Sequence, residues 1–358
     1  AIFSPLVMSK ESKIAQFNPN DIGSADNNIF GLPFEPADAS LVIIPVPWEV
    51  TVSYSAGTAD GPEAVYDASY QVDLYDPFVA DAWKLGIAMQ PVSKKIKSTS
   101  NKLRKKAEKY IDMYASGKTA DKNATMKSIK KEVDEACKDL NKWVKKEALK
   151  QMDKGKVVAL LGGDHSTPLG LMQALAEKHE SFGILQIDAH ADLRDAYEGF
   201  EFSHASIMFN ALKIEQVSKL VQVGIRDYCE DEFNLSASSK RVKTFYDSDI
   251  KAQQYEGKTW AKQCDEIIKT LPEKVYLSID IDGLDPKLCP NTGTPVPGGF
   301  EFEQVVYLIQ KLVEAKKQII AFDINEVAPG KDEWDANVGA RLLYKVSNMC
   351  LVSNGVKA

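Results

Sequence analysis

The stretch VVALLGGDHS, residues 157–166, decides how the rest of the chain reads. Five apolar residues run without a break from Val157 to Leu161 and stop at Gly-Gly-Asp-His. A short, continuous apolar run closed by turn residues reads as a strand buried on both faces, as in a parallel sheet. The same pattern recurs at 41–46, 183–187, 220–224, 275–280 and 318–323, each followed by Gly, Pro or Asp. Segments of helical period lie between these runs, at 168–178, 260–271 and 302–315. Thr167-Pro168 reads as an N-cap followed by proline in the first turn. Alternating strand and helix predicts one doubly wound α/β domain.

Residues 93–156 depart from this pattern. They are rich in lysine, with apolar residues at Leu103, Ala107, Tyr110 and Tyr114, then at Ile129, Val133, Ala136, Leu140 and Trp143. Steps of three and four predict two helices with a narrow apolar seam, joined by the loop SGKTADKNAT. The expected layout is an extension over 1–40 and a single domain over 41–358. The domain carries a helical insertion near 93–120, which packs on its surface or on another subunit, away from the chemistry. Interleaved acids make the lysine-rich faces read as solvated.

Composition narrows the function. The chain has 358 residues, 44% hydrophobic and 27% charged, which excludes wholesale disorder. A net charge of -7 argues against nucleic acid and anionic membranes, which attract basic faces. No apolar run approaches the roughly 18 residues of a membrane span, and AIFSPLVMSKESK has no basic leader region. The five scattered cysteines never fall in a C-x-x-C pair and read as reduced thiols. The expectation is a soluble, cytoplasmic protein.

Three of the four histidines sit in polar clusters at or just after strand ends: His165 in GGDHS, His190 in DAHAD, and His204 in SHA. A further run, VYLSI, leads into Asp280-Ile-Asp282. Open α/β sheets bind ligands at the carboxyl ends of their strands. Residues i and i+2 of an extended chain share a side, so Asp188, His190 and Asp192 project together, as do Asp280 and Asp282. Four clustered carboxylates repel one another unless a cation holds them. A pair of divalent metals gives three strand ends one shared reason for their polar residues. Carboxylate with imidazole favours Mn²⁺, with Ni²⁺, Co²⁺ or Fe²⁺ as alternatives; no cysteine stands in these motifs to build a thiolate zinc site. Such a pair activates water for hydrolysis.

Together GGDHS, DAHAD, SIDIDGLDP and FDINEVAP (322–329) resemble the signatures of the ureohydrolases, the arginase and agmatinase family, in order and spacing from about residue 41 onward. The resemblance implies a three-layer α-β-α fold, hydrolysis of a guanidino group to urea, two Mn²⁺ ions, and a trimer or hexamer. It implies that His165, Asp188, Asp192 and Asp280 hold one metal and that His190, Asp188, Asp280 and Asp282 hold the other, with Asp188 and Asp280 bridging. Asp192 would also take a hydrogen bond from the attacking water. It further implies that Glu326 binds the guanidinium, a planar cation suited to a fixed carboxylate. His204 would pass a proton to the leaving amine, as a group titrating near neutrality can.

The loop from Asp192 to His204 resembles the agmatinase branch, as do Gly293-Thr294-Pro295 and Pro297-Gly298-Gly299. Glu198 and Glu201 are candidates for the distal ammonium of agmatine. Guanidine and guanidinobutyrate are the alternatives within the family; Trp48, Phe202 or Phe209 closing the pocket would favour guanidine. A zinc deacylase-like hydrolase and a non-catalytic binding protein are the alternatives outside it.

Overall fold

Along the runs 157–161 and 182–187, alternate side chains enter different cores. Ala159 and Leu161 pack in one hydrophobic cluster, Val158 and Leu160 in the other; Leu185 and Ile187 divide likewise from Phe182 and Ile184. This two-sided burial explains the continuous apolar runs. The computed structural model describes residues 8–358. Its strands are β1 (Leu41–Val46), β2 (Ile87–Met89), β3 (Val157–Gly162), β4 (Phe182–Ile187), β5 (Val217–Ile225), β6 (Val242–Tyr246), β7 (Lys274–Asp280) and β8 (Gln318–Asn325). They form one eight-stranded parallel sheet in the order β2-β1-β3-β8-β7-β4-β5-β6.

Helices cover both faces. Gly61–Ser69, Trp260–Lys269, Phe302–Glu314 and Trp334–Ser353 bury their apolar residues in one cluster; Lys94–Ala115, Ala124–Met152 and Leu169–Lys178 bury theirs in the other. The result is the expected three-layer α/β architecture. No helix among the described residues is long and apolar enough to cross a membrane.

Several local expectations are corrected. The sheet gains two edge strands, β2 with three residues and β6 with a largely half-exposed pattern, neither of which has the continuous apolar signal. Thr167 does not cap the following helix: its hydroxyl donates to the Asp164 carbonyl and to Asn325 Oδ1, and Pro168 holds the cap position without a side-chain bond. Tyr114 leaves the predicted seam and is exposed, while Leu103, Ala107 and Tyr110 are buried. Apart from these corrections, Ile29, Phe30, Leu32 and Phe34 of the amino-terminal extension pack in the first of the two hydrophobic clusters.

Candidate metal centre and active site

The sheet order explains how motifs distant in sequence meet. β3, β8, β7 and β4 are consecutive neighbours, and their carboxyl ends lead into GGDHS, DINE, DIDGLD and DAHAD. This is where the chain's outward progress reverses, the crevice in which open α/β sheets bind ligands.

The D-x-H and D-x-D spacings have a local reason. Asp188 Oδ1 accepts the His190 N–H at 2.7 Å, and Asp280 Oδ1 accepts the Asp282 N–H at 2.9 Å. These side chain-to-backbone turns reach two residues onward. Asp282 Oδ1 accepts the Ala189 N–H at 3.0 Å, which ties the end of β7 to that of β4. One oxygen of each carboxylate is thereby anchored and the other aimed inward. Asp188 Oδ2 and Asp192 Oδ2 each lie 3.0 Å from His165 Nδ1, and Asp280 Oδ2 lies 3.5 Å from it. Asp282 Oδ2 lies 3.0 Å from His190 Nδ1, with Asp188 Oδ1 at 3.6 Å.

These contacts form two potential metal groups, His165-Asp188-Asp192-Asp280 and Asp188-His190-Asp282, that share Asp188. All six residues of the expected set are thus brought together. Asp280, which the family resemblance implies as a second bridge, joins the first group and not the second.

The donor set fits divalent metal. Asp192 Oδ2 and Asp282 Oδ2 are buried without a hydrogen-bond partner, beside the imidazoles. Left to itself, the cluster balances charge with protons. Burial and neighbouring acids push Asp192 and Asp280 well up, while on both histidines the acids outweigh burial and push the rings well above the ordinary imidazole range. Asp188 goes the other way: burial is outweighed by its bonds to His165 and His190, and its pKa falls. Divalent cations supply the same compensation without protons, through ligands of the oxygen and nitrogen type that Mn²⁺, Ni²⁺ and Co²⁺ accept.

Behind His165 lies a support that the sequence reading missed. His165 Nε2 is 2.8 Å from Ser278 Oγ, which donates to Asp323 Oδ1 at 3.0 Å; Tyr276 and Asn325 also bond Asp323. Burial pushes Asp323 up to about 6. With Nδ1 facing the carboxylates, the opposite nitrogen is free to donate outward, the usual way a ligating histidine is oriented. The signal was present: Ser278 stands two residues before Asp280 and shares its side of β7.

Glu326 follows β8 with a left-handed backbone, φ 67°. Its Oε1 accepts the His165 N–H at 2.8 Å and lies 3.2 Å from His204 Nδ1; its Oε2 is buried without a partner. Burial opposes a charge on His204, but Glu326, with Asp164 and Asp192 nearby, outweighs it and pushes the imidazole up to about 9. Asp192 and Glu198 also have positive φ, 53° and 51°. Backbone strain of this sort costs on the order of 1 kcal/mol per residue and gathers at functional sites.

A cavity of about 530 Å³ opens from this cluster, lined by His165, His190, Asp192, His204 and Asp280 of the cluster and by Tyr54, Tyr197, Glu198, Asp227 and Tyr228, with the Asp227 carboxylate 3.9 Å from His190 Nε2. Glu198 is half-buried, its Oε2 has no partner, and burial pushes its pKa up. Glu201 does not join it. Its carboxylate faces Lys213, 3.8 Å away, and it is absent from the cavity wall. Nor do the three aromatic residues close the pocket. Trp48 is buried in the core, Phe202 packs near Lys138, and Phe209 lies under Lys213. Glu49 is structural: its Oε2 accepts the Gly57 and Thr58 N–H groups, both at 2.8 Å.

A family model described as the arginase family matches residues 39–348. The chain belongs to the arginase family. It is therefore a metal-dependent amidinohydrolase, an enzyme that cleaves a guanidino C–N bond and releases urea. The family depends on a binuclear metal centre, and the buried cluster fits one. Among relatives, the chain is 31% identical over 312 residues to an N(1)-aminopropylagmatine ureohydrolase of Thermus thermophilus, a match covering 87% of this chain and 90% of that one. It is 26% identical to an agmatinase of Pyrococcus horikoshii, over 87% of this chain and 92% of the relative. In fold it is similar to the crystal structure of an agmatine ureohydrolase of Thermoplasma volcanium, with a TM-score of 0.66, 22% identity, and coverage of 94% and 96%.

Proposed function

We propose that this arginase-family enzyme hydrolyses agmatine, or a guanidino-alkylamine built on it, to urea and the free amine. One observation carries the reading. Two carboxylates, Glu326 beside His204 and Glu198 among the cavity-lining residues, each carry a buried oxygen, Oε2, with no partner of its own. An unpaired buried acceptor is costly, and a substrate with a cation at each end relieves both. Arginine and guanidinobutyrate would instead bring a carboxylate toward Glu198. Guanidine leaves Glu198 unpaired.

In this reading the six ligands are His165, Asp188, Asp192, Asp280, His190 and Asp282, with Asp188 in both groups, and Mn²⁺ is the first choice with Ni²⁺ second. When bound, the metals supply an activated water and charge stabilisation for hydrolysis. Glu326 Oε2 takes the guanidinium, while its Oε1 holds His204 protonated and oriented. Asp192 accepts a proton or hydrogen bond on the inner side. His204 gives its proton to the departing amine, as a general acid of the observed orientation can. The assembly is expected to be a homo-oligomer and the location cytoplasmic.

A longer guanidino-polyamine is the second reading, favoured by Asp227, a 67% exposed carboxylate among the cavity-lining residues. The test is urea release from agmatine, N(1)-aminopropylagmatine, guanidinobutyrate, arginine and guanidine, with metal analysis of the same sample. Agmatine or its aminopropyl derivative is expected to lead by at least about tenfold. Guanidine or arginine leading would end this assignment.

A further inference from the structure

The helix Lys94–Ala115, expected from sequence to pack away from the chemistry, braces two segments that line the cavity. On one side it holds the chain after β1. Ser100 Oγ accepts the Glu49 N–H at 3.0 Å, and Arg104 donates to the Val50 and Val52 carbonyls at 3.2 and 2.5 Å. The next two residues, Ser53 and Tyr54, line the cavity. The Arg104 side chain is only 14% exposed, so these bonds are made largely out of water.

On the other side the same helix seats the turn that carries Glu198. Tyr197 and Phe200 bond each other through their backbones at 3.1 and 2.9 Å, enclosing Glu198 and Gly199, both with positive φ. The buried Tyr110 ring packs on Phe200 with centroids 4.7 Å apart. Its hydroxyl fills the space a side chain at residue 199 would need, 2.5 Å from where that Cβ would stand. Glycine at 199 thus allows both the φ of 84° and the close approach of Tyr110. Arg104 and Tyr110 are separated by about 9 Å along the helix axis, and neither is among the cavity-lining residues.

We propose that Arg104 and Tyr110 are positioning residues that set the separation of the Tyr54 and Glu198 walls, and through it the recognition of the substrate's amine tail. The inference rests on the functional reading above for the identity of that tail. Arg104 holds one wall by main-chain carbonyls that no strand partner takes, and Tyr110 holds the other by filling the space over Gly199. The guanidinium end, bound at Glu326 and His204, lies on different elements and is not held by this helix.

The test uses the metal-loaded enzyme with Arg104→Met and Tyr110→Ala. For agmatine, KM is expected to rise about tenfold in each variant with kcat changed less than twofold. For methylguanidine, which has no tail cation, KM is expected to stay within twofold. Equal KM rises for both compounds, or a loss of kcat at constant KM, would overturn the proposal. Amide hydrogen exchange supplies a readout independent of turnover. Residues 50–57 are expected to exchange at least tenfold faster in Arg104→Met, and residues 197–200 in Tyr110→Ala. Unchanged exchange in either segment overturns the proposal. If the wild type hydrolyses neither compound, the functional reading fails and hydrogen exchange alone decides the role of the helix. If a larger substitution prevents folding, Tyr110→Phe, which removes a single oxygen, carries the exchange test at 197–200.

Discussion

Glu326 Oε1 stands 3.2 Å from Nδ1 of His204, and the other oxygen of the same carboxylate is buried and unpartnered. In the proposed function a single side chain serves two tasks, one oxygen ordering the proton donor and the unpartnered one binding the guanidinium. His204→Asn is expected to retain metal while kcat falls by about 10²–10⁴-fold, the usual range for a positioned general acid. Loss of metal in that variant would make His204 a ligand.

The same pair sets a pH dependence. His204 is raised from its ordinary 6.5 to about 9. A raised histidine contributes stability that is fully present below the unfolded value and is lost as pH rises through the folded one. The contribution of this pair should therefore fade between about pH 6.5 and 9. Glu326→Gln removes the stabilising charge, and the His204 titration, followed by histidine NMR with a diamagnetic metal, is expected to fall by at least about one unit. An unmoved titration would show that Asp164 and Asp192, not Glu326, hold the proton.

Metal binding is expected to be unequal across the ligands. Asp188 belongs to both groups and Asp282 to one. Asp188→Asn should deplete both ions, whereas Asp282→Asn should leave close to one per chain by elemental analysis. Ser278→Ala, which cuts His165 off from Asp323, is expected to weaken metal binding by about 10–100-fold, the range for such outer partners. Equal affinity in Ser278→Ala and wild type would reduce the Ser278–Asp323 pair to packing.

Glu198 and Glu201 offer a paired comparison, because they are three residues apart and only one lines the cavity. Glu198→Gln is expected to lower kcat/KM for agmatine by about 10–100-fold, the value of a hydrogen bond to a charged group. Glu201→Gln is expected to change it less than twofold. A larger effect at Glu201 would reverse the assignment of the tail site.

The sequence was most readable where a single physical cause acted alone. VVALL, GILQI, VYLSI and QIIAFD are predominantly apolar because both faces of those strands are covered, and each run could be placed without knowledge of its neighbours. Edge strands lack that cause. β6, VKTFY, has one covered residue followed by exposed and half-exposed ones, so it carries no such run. The ligands were readable for a similar reason, since D-x-H and D-x-D turns are local. What remained hidden was decided at a distance. Nothing near Glu198 and Glu201 says which faces the cavity; that is settled by the Tyr197–Phe200 turn and by Tyr110, far back in the chain. Ser278 and Asp323 each look ordinary until β7 and β8 lie side by side.

The place of β8 in the sheet has a consequence for how the protein is born. It is the last strand in the chain, yet it sits in the middle, between β3 and β7. Until residues 318–325 have emerged from the ribosome, the strands already made can form only two part-sheets, β2-β1-β3 and β7-β4-β5-β6, each with an open edge. His165 belongs to one part and the other five ligands to the second, so the centre has no complete first group before the closing strand enters. Open edges of this apolar kind pair with other chains. A nonsense mutation upstream of residue 318 thus yields nascent chains prone to aggregate, and the final stretch of translation acts as the keystone of the assembly.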